Sequence, residues 1–365
     1  MNVIMRKKGI YLLLSVVILF FGCKKVIEPE PITVDGIVTV VFPPQEDSLT
    51  SFFASWILEV TVNGNSVFYT PLYDAPSPWS PNYEVSLTLE AGSDRIFTVY
   101  GLDPSLSILW WAQKRVDLLP KEEFDVGLSM IPAGEGSASH IVVFRDDLSW
   151  NANTIEEVLQ EEGLTYGSDS NQYEIKGSGD FSSILSILDP ETDMMIIAAD
   201  QEQSFYDNYR ANQGDIEEFV KRGGVLFFEA VDRGFHNGSI SDAGIVFPGV
   251  VELDPQYSYE DYNTVFNLHY SLTQGIPRPD SVHGNLASHG TFLFLWPVSQ
   301  TFTRGTTSGD ETLVLYPYSA GWVMLSTQPL EFNYAMRRGQ HDDRKYAIGL
   351  LLPRILRLFL GRPLT

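Results

Sequence analysis

Residues 193–234 decide how the second half of the chain folds, and they read DMMIIAADQEQSFYDNYRANQGDIEEFVKRGGVLFFEAVDRG. The stretch opens with a short apolar run, 194–199, that ends in an acidic loop. A helical pattern follows, and Gly223 and Gly224 then precede a second apolar run, 225–228. A strand, a helix, a Gly-Gly turn and a strand in this order form a βαβ unit. Such a unit predicts a parallel sheet covered by helices.

The segments on either side of this unit extend the pattern. Before it, strands are expected at residues 140–144 and 173–175, and helices at 153–162 and 180–188, the second capped by Asp180. After it, strands are expected at 246–253 and 266–270, a hairpin at 313–316 and 322–326, and a helix at 342–360 that Pro353 kinks. Together these elements predict an α/β domain with a doubly wound sheet over residues 138–365.

The order of these elements resembles the class I glutamine amidotransferase-like fold, a flavodoxin-like architecture, including its ThuA-like relatives. Two further stretches carry the resemblance: YSLTQGIP at 270–277 and STQPLEF at 326–332. In active amidotransferases, the strand after Gly-Gly ends in a sharp elbow that carries a nucleophilic cysteine. Here the same strand ends FEAVDRG at 228–234, with neither Cys nor Ser. The resemblance therefore implies a catalytically degenerate domain, a pseudoenzyme, and glutaminase activity is not expected.

Residues 32–132 show a different pattern, in which short β-branched and aromatic runs alternate with turn signals. About seven strands without a helical period predict an all-β sandwich. Within it, residues 89–132 resemble Ig-like or fibronectin-type modules of bacterial envelope lipoproteins. Trp110 and Trp111 allow two interpretations: a platform on which a saccharide stacks, or one core and one edge tryptophan. The second is favoured because adjacent strand residues face opposite ways.

The N-terminus predicts export and lipid attachment. Arg6, Lys7 and Lys8 precede an apolar run at 10–21, which is short for a membrane span. The run leads to Gly22 and Cys23, the sole cysteine, and this ending resembles a bacterial lipobox. We expect a signal peptide at 1–22, lipidation of Cys23 and a tether at 23–31. The alternatives are an ordinary secretory signal or a short N-terminal anchor.

Charge and cysteine content limit the partners. A net charge of −23 argues against nucleic-acid binding, which needs a basic surface. A single cysteine permits no disulfide within the chain. The absence of an acidic residue directly after Cys23 favours the outer membrane, by resemblance to envelope lipoproteins of diderm bacteria. The expected partners are the membrane, through the lipid, and an envelope protein or a glycan.

Acidic residues follow several of the predicted strands, and ligands of doubly wound sheets bind beyond the carboxyl ends of the strands. The candidate crevice comprises Asp146, Asp147, Asp200, Glu202, Glu229, Asp232, His236 and His289. Converging carboxylates repel one another unless they are protonated, paired or bound to a cation. No cofactor is predicted, but a divalent cation with oxygen ligands is one alternative.

Other interpretations of these residues remain open. His236 or His269 would complete a metal-assisted hydrolase, and Glu229 with Asp232 would act on a glycosidic bond. The structural alternative is that Asp200 caps a segment, and that Asp146 or Asp147 pairs with a neighbouring arginine.

Together these features predict a lipid-anchored binding or scaffold protein of the cell envelope. The alternative is an extracytoplasmic hydrolase, carbohydrate-directed or metal-assisted. Geometry discriminates between them, because a catalytic cluster would share one open pocket. Structural carboxylates would instead bind backbone amides or arginines.

Overall fold

The computed structural model describes most of the chain beyond residue 31: residues 32–43, 53–62, 65–76, 80–104, 108–132, 136, 138–254, 260–265, 272–273, 276, 282–293, 299–339 and 347–362. The expected signal peptide, Cys23, the tether and the strand at 266–270 lie outside these residues. Across the described ranges, no helix is both long and apolar enough to cross a bilayer. The protein is multidomain and rich in strands.

Residues 33–132, the β-region, form nine strands in two sheets. The strands are β1 (Thr33–Val41), β2 (Ser55–Val62), β3 (Asn65–Tyr69), β4 (Tyr73–Asp74), β5 (Asn82–Glu90), β6 (Gly92–Leu102), β7 (Ile108–Leu118), β8 (Phe124–Ser129) and β9 (Ile131–Pro132). One sheet has the order β5-β1-β8, and the other has β3-β2-β6-β7-β9 with β4 beside β2. The β1–β8 pair is parallel, whereas the other pairs described in this region are antiparallel.

The two sheets of the β-region enclose one apolar core. Along β5, Val85, Leu87 and Leu89 are buried and the residues between them are exposed, as period-two alternation predicts. These side chains meet Trp56 of β2 and Trp110 of β7 in a single cluster. Burial of alternate residues from both sheets stabilises the region.

Residues 140–359, the α/β region, contain one large sheet. Its strands are β10 (His140–Phe144), β11 (Thr165–Tyr166), β12 (Gln172–Lys176), β13 (Asp193–Ile197), β14 (Val225–Glu229), β15 (Val246–Phe247), β16 (Val251–Asp254), β17 (Glu260–Val265), β18 (Val282–Ser288), β19 (Thr291–Leu293), β20 (Gln300–Gly305), β21 (Glu311–Tyr318) and β22 (Gly321–Ser326). The order is β11-β12-β10-β13-β14-β22-β21-β19-β16-β15, with β20 joining β17 and β18 to β21. The first six strands in this order (β11, β12, β10, β13, β14 and β22) run parallel to one another. The next strand, β21, pairs antiparallel with β22 and begins the antiparallel part of the sheet.

Helices cover both faces of the parallel strands. They are α1 (Thr154–Glu161), α2 (Phe181–Leu185), α3 (Gln203–Lys221), α4 (Leu330–Gly339) and α5 (Leu351–Phe359), with 3₁₀ turns at Ser149–Asn151, Ser178–Asp180 and Ala347–Leu350. Alternate residues of β13 enter different cores: Met194 and Ile196 pack with α1, α4 and α5, whereas Met195 and Ile197 pack with α2 and α3. The predicted parallel sheet covered by helices is therefore confirmed.

The Gly-Gly turn between α3 and β14 is required sterically. Gly223 has a φ of +123°, which side chains rarely adopt. A Cβ at Gly224 would overlap the ring of Phe219, in the last turn of α3. Glycine at both positions lets the chain leave the helix and enter the sheet directly.

Three predicted elements differ from the structure. The strand expected at 246–253 is a hairpin of β15 and β16, because Gly249 and Val250 have positive φ angles of 84° and 65°. The helix expected at 342–360 is described from residue 347 onward, as a 3₁₀ turn over Ala347–Leu350 followed by α5, and Pro353 lies in the first turn of α5. Asp180 is the N-cap residue of α2, as predicted, but its carboxylate accepts the Gly177 N–H at 3.3 Å and makes no capping hydrogen bond to α2, which is shorter than expected.

The two regions are in contact. Tyr100, Leu102 and Ile108 of the β-region belong to the same apolar cluster as the inner faces of α1 and α5. Trp110 points into the core of the β-region, and Trp111 contacts Trp322 with ring centroids 4.7 Å apart. The adjacent tryptophans therefore face opposite ways, as strand geometry predicts.

Candidate functional site

Four neighbouring parallel strands bring polar residues to one edge of the sheet. The carboxyl ends of β10, β13, β14 and β22 lie side by side. The predicted site residues lie at or directly after three of these ends, except His289, which follows β18. This edge is the place where doubly wound sheets bind ligands.

Asp200 joins two loops at this edge. Its side chain is 1% exposed and its φ is 57°, a left-handed conformation that Asp tolerates better than most residues. One carboxylate oxygen accepts the Trp150 N–H at 2.8 Å, and the other accepts the His236 N–H at 2.7 Å. A Cβ at Gly234 would overlap this carboxylate, so glycine permits the close approach. Asp200 thus fixes the loops after β10 and β14.

The imidazole of His236 is oriented by the same aspartate. Its Nδ1 lies 2.8 Å from the Asp200 carbonyl oxygen and 3.1 Å from Oδ2. Because a carbonyl oxygen only accepts, the proton must reside on Nδ1. A carboxylate that fixes a histidine tautomer also occurs beside catalytic nucleophiles.

Asp232 and His289 form a second pair close by. Asp232 is 2% exposed, and its Oδ1 accepts the Ile240 N–H at 2.7 Å, which closes the loop after β14. His289 Nδ1 donates to the Asp232 carbonyl oxygen at 3.0 Å. Burial lowers the pKa of His289, against the raising effects of this hydrogen bond and of the charges on Asp200 and Asp232. The histidine is therefore neutral at pH 7.

Gln201 organises the loop after β10, although the sequence analysis did not select it. Its side chain is fully buried, and its Oε1 accepts the N–H groups of Asp146 at 2.7 Å and Asp147 at 2.9 Å. The Asp146 carboxylate accepts the N–H of Ser178 at 2.7 Å and its hydroxyl at 2.5 Å. Asp146 therefore anchors a neighbouring turn.

The expected ion pairs of the site do not form as predicted. The Arg145 guanidinium donates to both carboxylate oxygens of Glu156, with 2.6 Å between Nη1 and Oε2. It pairs with Glu156, in the first turn of α1, and not with Asp146 or Asp147. Arg233 donates to Asp242 at 3.1 Å and lies 3.9 Å from Asp232. Backbone amides, more than arginines, hold the carboxylates at this edge.

The predicted set is divided by the structure. Asp200, Asp232, His236 and His289 come together as two linked pairs. Glu202 is exposed at the start of α3 and makes no side-chain capping hydrogen bond there. The eight residues therefore do not form one cluster.

Glu229 has a partner that the sequence analysis missed. Glu229 is fully buried, and Glu331, in the first turn of α4, is 1% exposed. The Glu229 carboxyl faces the backbone N–H groups of Leu330 and Glu331, but no described residue gives it a hydrogen bond of good geometry. The Oε1 of Glu331 lies 2.7 Å from the hydroxyl oxygen of Ser149. Two acidic side chains thus share a buried interior site.

Both carboxyl groups of this pair have raised pKa values. Burial, followed by the charge of Glu331, raises the pKa of Glu229 well above its ordinary value of 4.5. Burial likewise raises the pKa of Glu331 to about 7. The hydroxyl of Ser149 also lies 2.7 Å from the Ala199 carbonyl, which can only accept. A protonated Glu331 can donate from Oε1 to Ser149 while Ser149 donates to Ala199, although the Oε2 of Glu331 has no partner among the described residues.

The polar side chains at this edge mainly hold the loops in place through hydrogen bonds. The bend from Glu229 to Asp232 reads EAVD and contains no hydroxyl or thiol. Among the residues described, no three His, Cys, Asp or Glu side chains are grouped closely enough to hold a metal ion. Ser149, Gln201 and Glu331 carry much of the hydrogen bonding. Gln201 could have been found, since it follows an apolar strand directly; Ser149 and Glu331 are too distant in sequence.

Comparisons with known proteins give low similarity. No protein-family model matches the chain. An uncharacterized protein of Clostridium acetobutylicum is 27% identical over 232 residues, which cover 61% of this chain and 22% of that protein. The chain therefore spans less than a quarter of this relative's length.

Two solved structures are similar at low scores. A cytoplasmic protein of Salmonella typhimurium LT2 is 10% identical with a TM-score of 0.37, covering 59% of this chain and 98% of that one. A ThuA-like protein of Bacteroides uniformis is 11% identical with a TM-score of 0.30, covering 62% and 94%.

Proposed function

We propose that the protein is a non-catalytic binding or scaffold protein of the cell envelope. In this proposal, an Ig-like β-sandwich precedes a flavodoxin-like domain of the amidotransferase-like type that has lost its nucleophile. The observation that carries the proposal is the bend after β14, where Glu229 and Asp232 flank alanine and valine. Acyl transfer of the family type requires a nucleophile at this elbow.

The hydrogen bonding of the carboxylates supports the same function. Asp200 and Asp232 accept backbone N–H groups, and Asp146 accepts both polar hydrogens of Ser178. A carboxylate whose oxygens are engaged in this way is a poor base and a poor cation ligand, because a ligand must first displace those bonds. These residues are therefore better suited to fixing the loops of a binding surface than to catalysis or cation binding.

The proposed location is the outer membrane, with the lipid on Cys23 as anchor. This location is proposed because basic residues at 6–8 precede an apolar run at 10–21 and Cys23. The high negative charge opposes nucleic acid as a partner, and the proposed partner is an envelope protein or a glycan. Cys23→Ala should abolish the incorporation of a labelled fatty acid into the protein, and incorporation equal to that of the wild type would contradict the lipid anchor.

A hydrolase is the second candidate, and the His236–Asp200 pair favours it. An imidazole oriented by a carboxylate can act as a general base on water. In that case His236→Ala would abolish turnover, whereas the binding proposal needs no turnover.

The test is an activity screen of the protein without its first 25 residues on aryl esters, aryl glycosides and peptides, with and without Mg²⁺, Ca²⁺ or Zn²⁺. We expect no turnover above the buffer rate for the wild type or for His236→Ala. A rate that His236→Ala removes, while Tyr166→Leu on distant β11 keeps it, would overturn the proposal in favour of the hydrolase.

A further inference from the structure

Glu331 joins two segments that border the crevice. One segment is the 3₁₀ turn Ser149–Asn151, after β10, and the other is the first turn of α4, which carries Glu331 itself. The Oε1 of Glu331 lies 2.7 Å from the hydroxyl oxygen of Ser149. The rings of Trp150 and Phe332 meet beside this contact, with their centroids 5.7 Å apart. This contact between the turn and the first turn of α4 is called the gate below.

The turn of the gate also forms part of the crevice. Asp200 Oδ2 accepts the Trp150 N–H at 2.8 Å, while Oδ1 accepts the His236 N–H at 2.7 Å. Trp150 and Asn151 have left-handed φ angles of 49° and 56°, which residues with a side chain rarely adopt. A strained segment persists only where its surroundings hold it in place. Movement of this turn would therefore change the crevice at Asp200.

The hydrogen bonding of the gate depends on the proton of Glu331. Ser149 has one hydroxyl proton, and two acceptors face it: the Ala199 carbonyl oxygen at 2.7 Å and Glu331 Oε1 at 2.7 Å. The neutral acid supplies a second proton, so both contacts are then hydrogen bonds. The carboxylate supplies none, so one of the two contacts then lacks a proton.

The site is also a poor environment for two negative charges. Glu229 is fully buried, and neither of its oxygens, nor Oε2 of Glu331, has a hydrogen-bond partner of good geometry among the described residues. Arg145 acts on Glu331, but its guanidinium already donates to both oxygens of Glu156. Ionised carboxylates require hydration or a free cation. Because both groups are buried, water reaches them only if an adjoining segment moves.

The surrounding charges favour movement at the first turn of α4 and not at its last turn. The titratable groups near the pair, on the elements packed around it, are mostly acidic: Arg145 after β10, Glu156 of α1, Asp200 after β13, Tyr206 of α3 and Asp232 after β14. The last turn of α4 instead carries Arg337, which faces Arg354 of α5, and Arg338, which pairs with Glu157 and Glu161 of α1. These surface pairs hold that end of the helix.

We propose that the gate is a pH-controlled opening of the crevice, closed while Glu229 and Glu331 are neutral and open once they are ionised. Burial raises the pKa of Glu331 from 4.5 to about 7, so over this range the closed form keeps a proton that the hydrated open form releases. The opening equilibrium therefore rises with pH. The pKa of Glu229, raised well above 4.5 by burial and by the charge of Glu331, extends the rise to higher pH.

Hydrogen exchange of the detergent-solubilised full chain, followed by mass spectrometry at about pH 5 and about pH 8, tests the gate. Protection factors, which remove the intrinsic pH dependence of exchange, are compared for peptides that cover residues 148–153 and 328–334, with a β14 peptide as the reference. We expect the protection of both gate peptides to fall at least ~10-fold on raising the pH, with a smaller fall in β14. Unchanged protection at the gate, or an equal fall in β14, overturns the proposal.

Two variants should shift the gate in opposite directions. Glu331→Gln keeps an N–H₂ group that donates to Ser149, so the fall in protection should be several-fold smaller than in the wild type. Ser149→Ala removes the hydroxyl that links the turn to α4, so the gate should be several-fold less protected already at about pH 5. The control is Glu157→Gln, which removes a titratable partner of α4 at the surface and should follow the wild type.

A fall in Glu331→Gln equal to that of the wild type overturns the proposal. If this variant does not fold, Glu229→Gln should reduce the fall in the same way, and an equal fall there has the same meaning. The gate rests on the proposed function only in treating the crevice as a binding surface. Exchange needs no ligand, so a failed gate leaves the binding proposal standing, whereas turnover in the activity screen overturns that proposal and leaves the gate.

Discussion

At the residue scale, the most informative feature is the buried pair of Glu229 and Glu331. A carboxyl group enters a dry interior only as the neutral acid or with a compensating partner. Glu331 has Ser149 as a partner and a pKa raised to about 7, whereas Glu229 depends on protonation. The pair therefore links folding stability to pH.

The sign of this linkage follows from the raised pKa values. Between the ordinary value of 4.5 and about 7, the folded protein binds more protons at Glu331 than the unfolded chain does. The stabilisation is complete below 4.5 and is lost as the pH rises through the folded value. Glu331→Gln mimics the neutral acid and should be more stable than the wild type above pH 7, by on the order of 3 kcal/mol, with little difference near pH 4.

Urea unfolding from about pH 4 to about pH 9 measures this effect through the midpoint concentration. Glu157→Gln is the control, because Glu157 lies on the exposed side of α1 in a surface ion pair with Arg338. It should follow the wild-type curve. An unchanged pH dependence in Glu331→Gln would contradict the protonated pair.

The sequence predicted some of these residues and not others, for physical reasons. Asp200, Asp232 and His236 follow strand ends within residues 198–236, so strand prediction alone placed them at the same edge. Glu331 reaches Glu229 from 102 residues away through the packing of α4. Sequence periodicity contains no signal for such a contact, and the protonation state depends on burial that only the fold determines.

At the element scale, local patterns predicted the central βαβ unit well and the antiparallel part less well. The helical period in 203–221 and the apolar runs on both sides are strong signals, and α3, β13 and β14 confirm them. The hairpin of β15 and β16 was missed because a turn at Gly249 and Val250 interrupts an otherwise apolar run. Helix α4 was missed because its charged last turn obscures the apolar period.

Two glycines of the same βαβ unit should respond oppositely to alanine. A Cβ at Gly224 would overlap the Phe219 ring, so Gly224→Ala should lower the free energy of unfolding by ~1–3 kcal/mol. Gly214 lies inside α3 with open space around the Cβ position. Gly214→Ala should therefore raise stability by ~0.5–1 kcal/mol, since glycine is a poor helix former.

Chemical denaturation of the two variants measures both values. The pair is internally controlled, because the same substitution is made ten residues apart in one βαβ unit. If both alanines destabilise to the same degree, the close approach of Phe219 is not the cause.

At the scale of the whole molecule, the two regions share part of their apolar interior. Ile108 of β7 is fully buried in the cluster that also contains α5, whereas Leu128 of β8 is buried within the core of the β-region alone. The contact also includes the Gln113 side chain, which donates to the Ser319 carbonyl at 2.9 Å. A rigid junction of this kind would preserve the edge-to-face contact of Trp111 with Trp322.

This sharing predicts a difference between two substitutions of similar chemistry. Ile108→Ala and Leu128→Ala each remove buried methyl groups and should each destabilise the β-region by ~2–5 kcal/mol. Only Ile108→Ala should also weaken α5, because only Ile108 contributes to the cluster in which α5 packs. Hydrogen exchange followed by mass spectrometry would measure this as faster exchange across Leu351–Phe359. Leu128→Ala should leave exchange in that helix at the wild-type rate. Equal acceleration of α5 by both variants would show that the two regions open as one unit, and unchanged exchange in both would show that the shared cluster contributes no coupling.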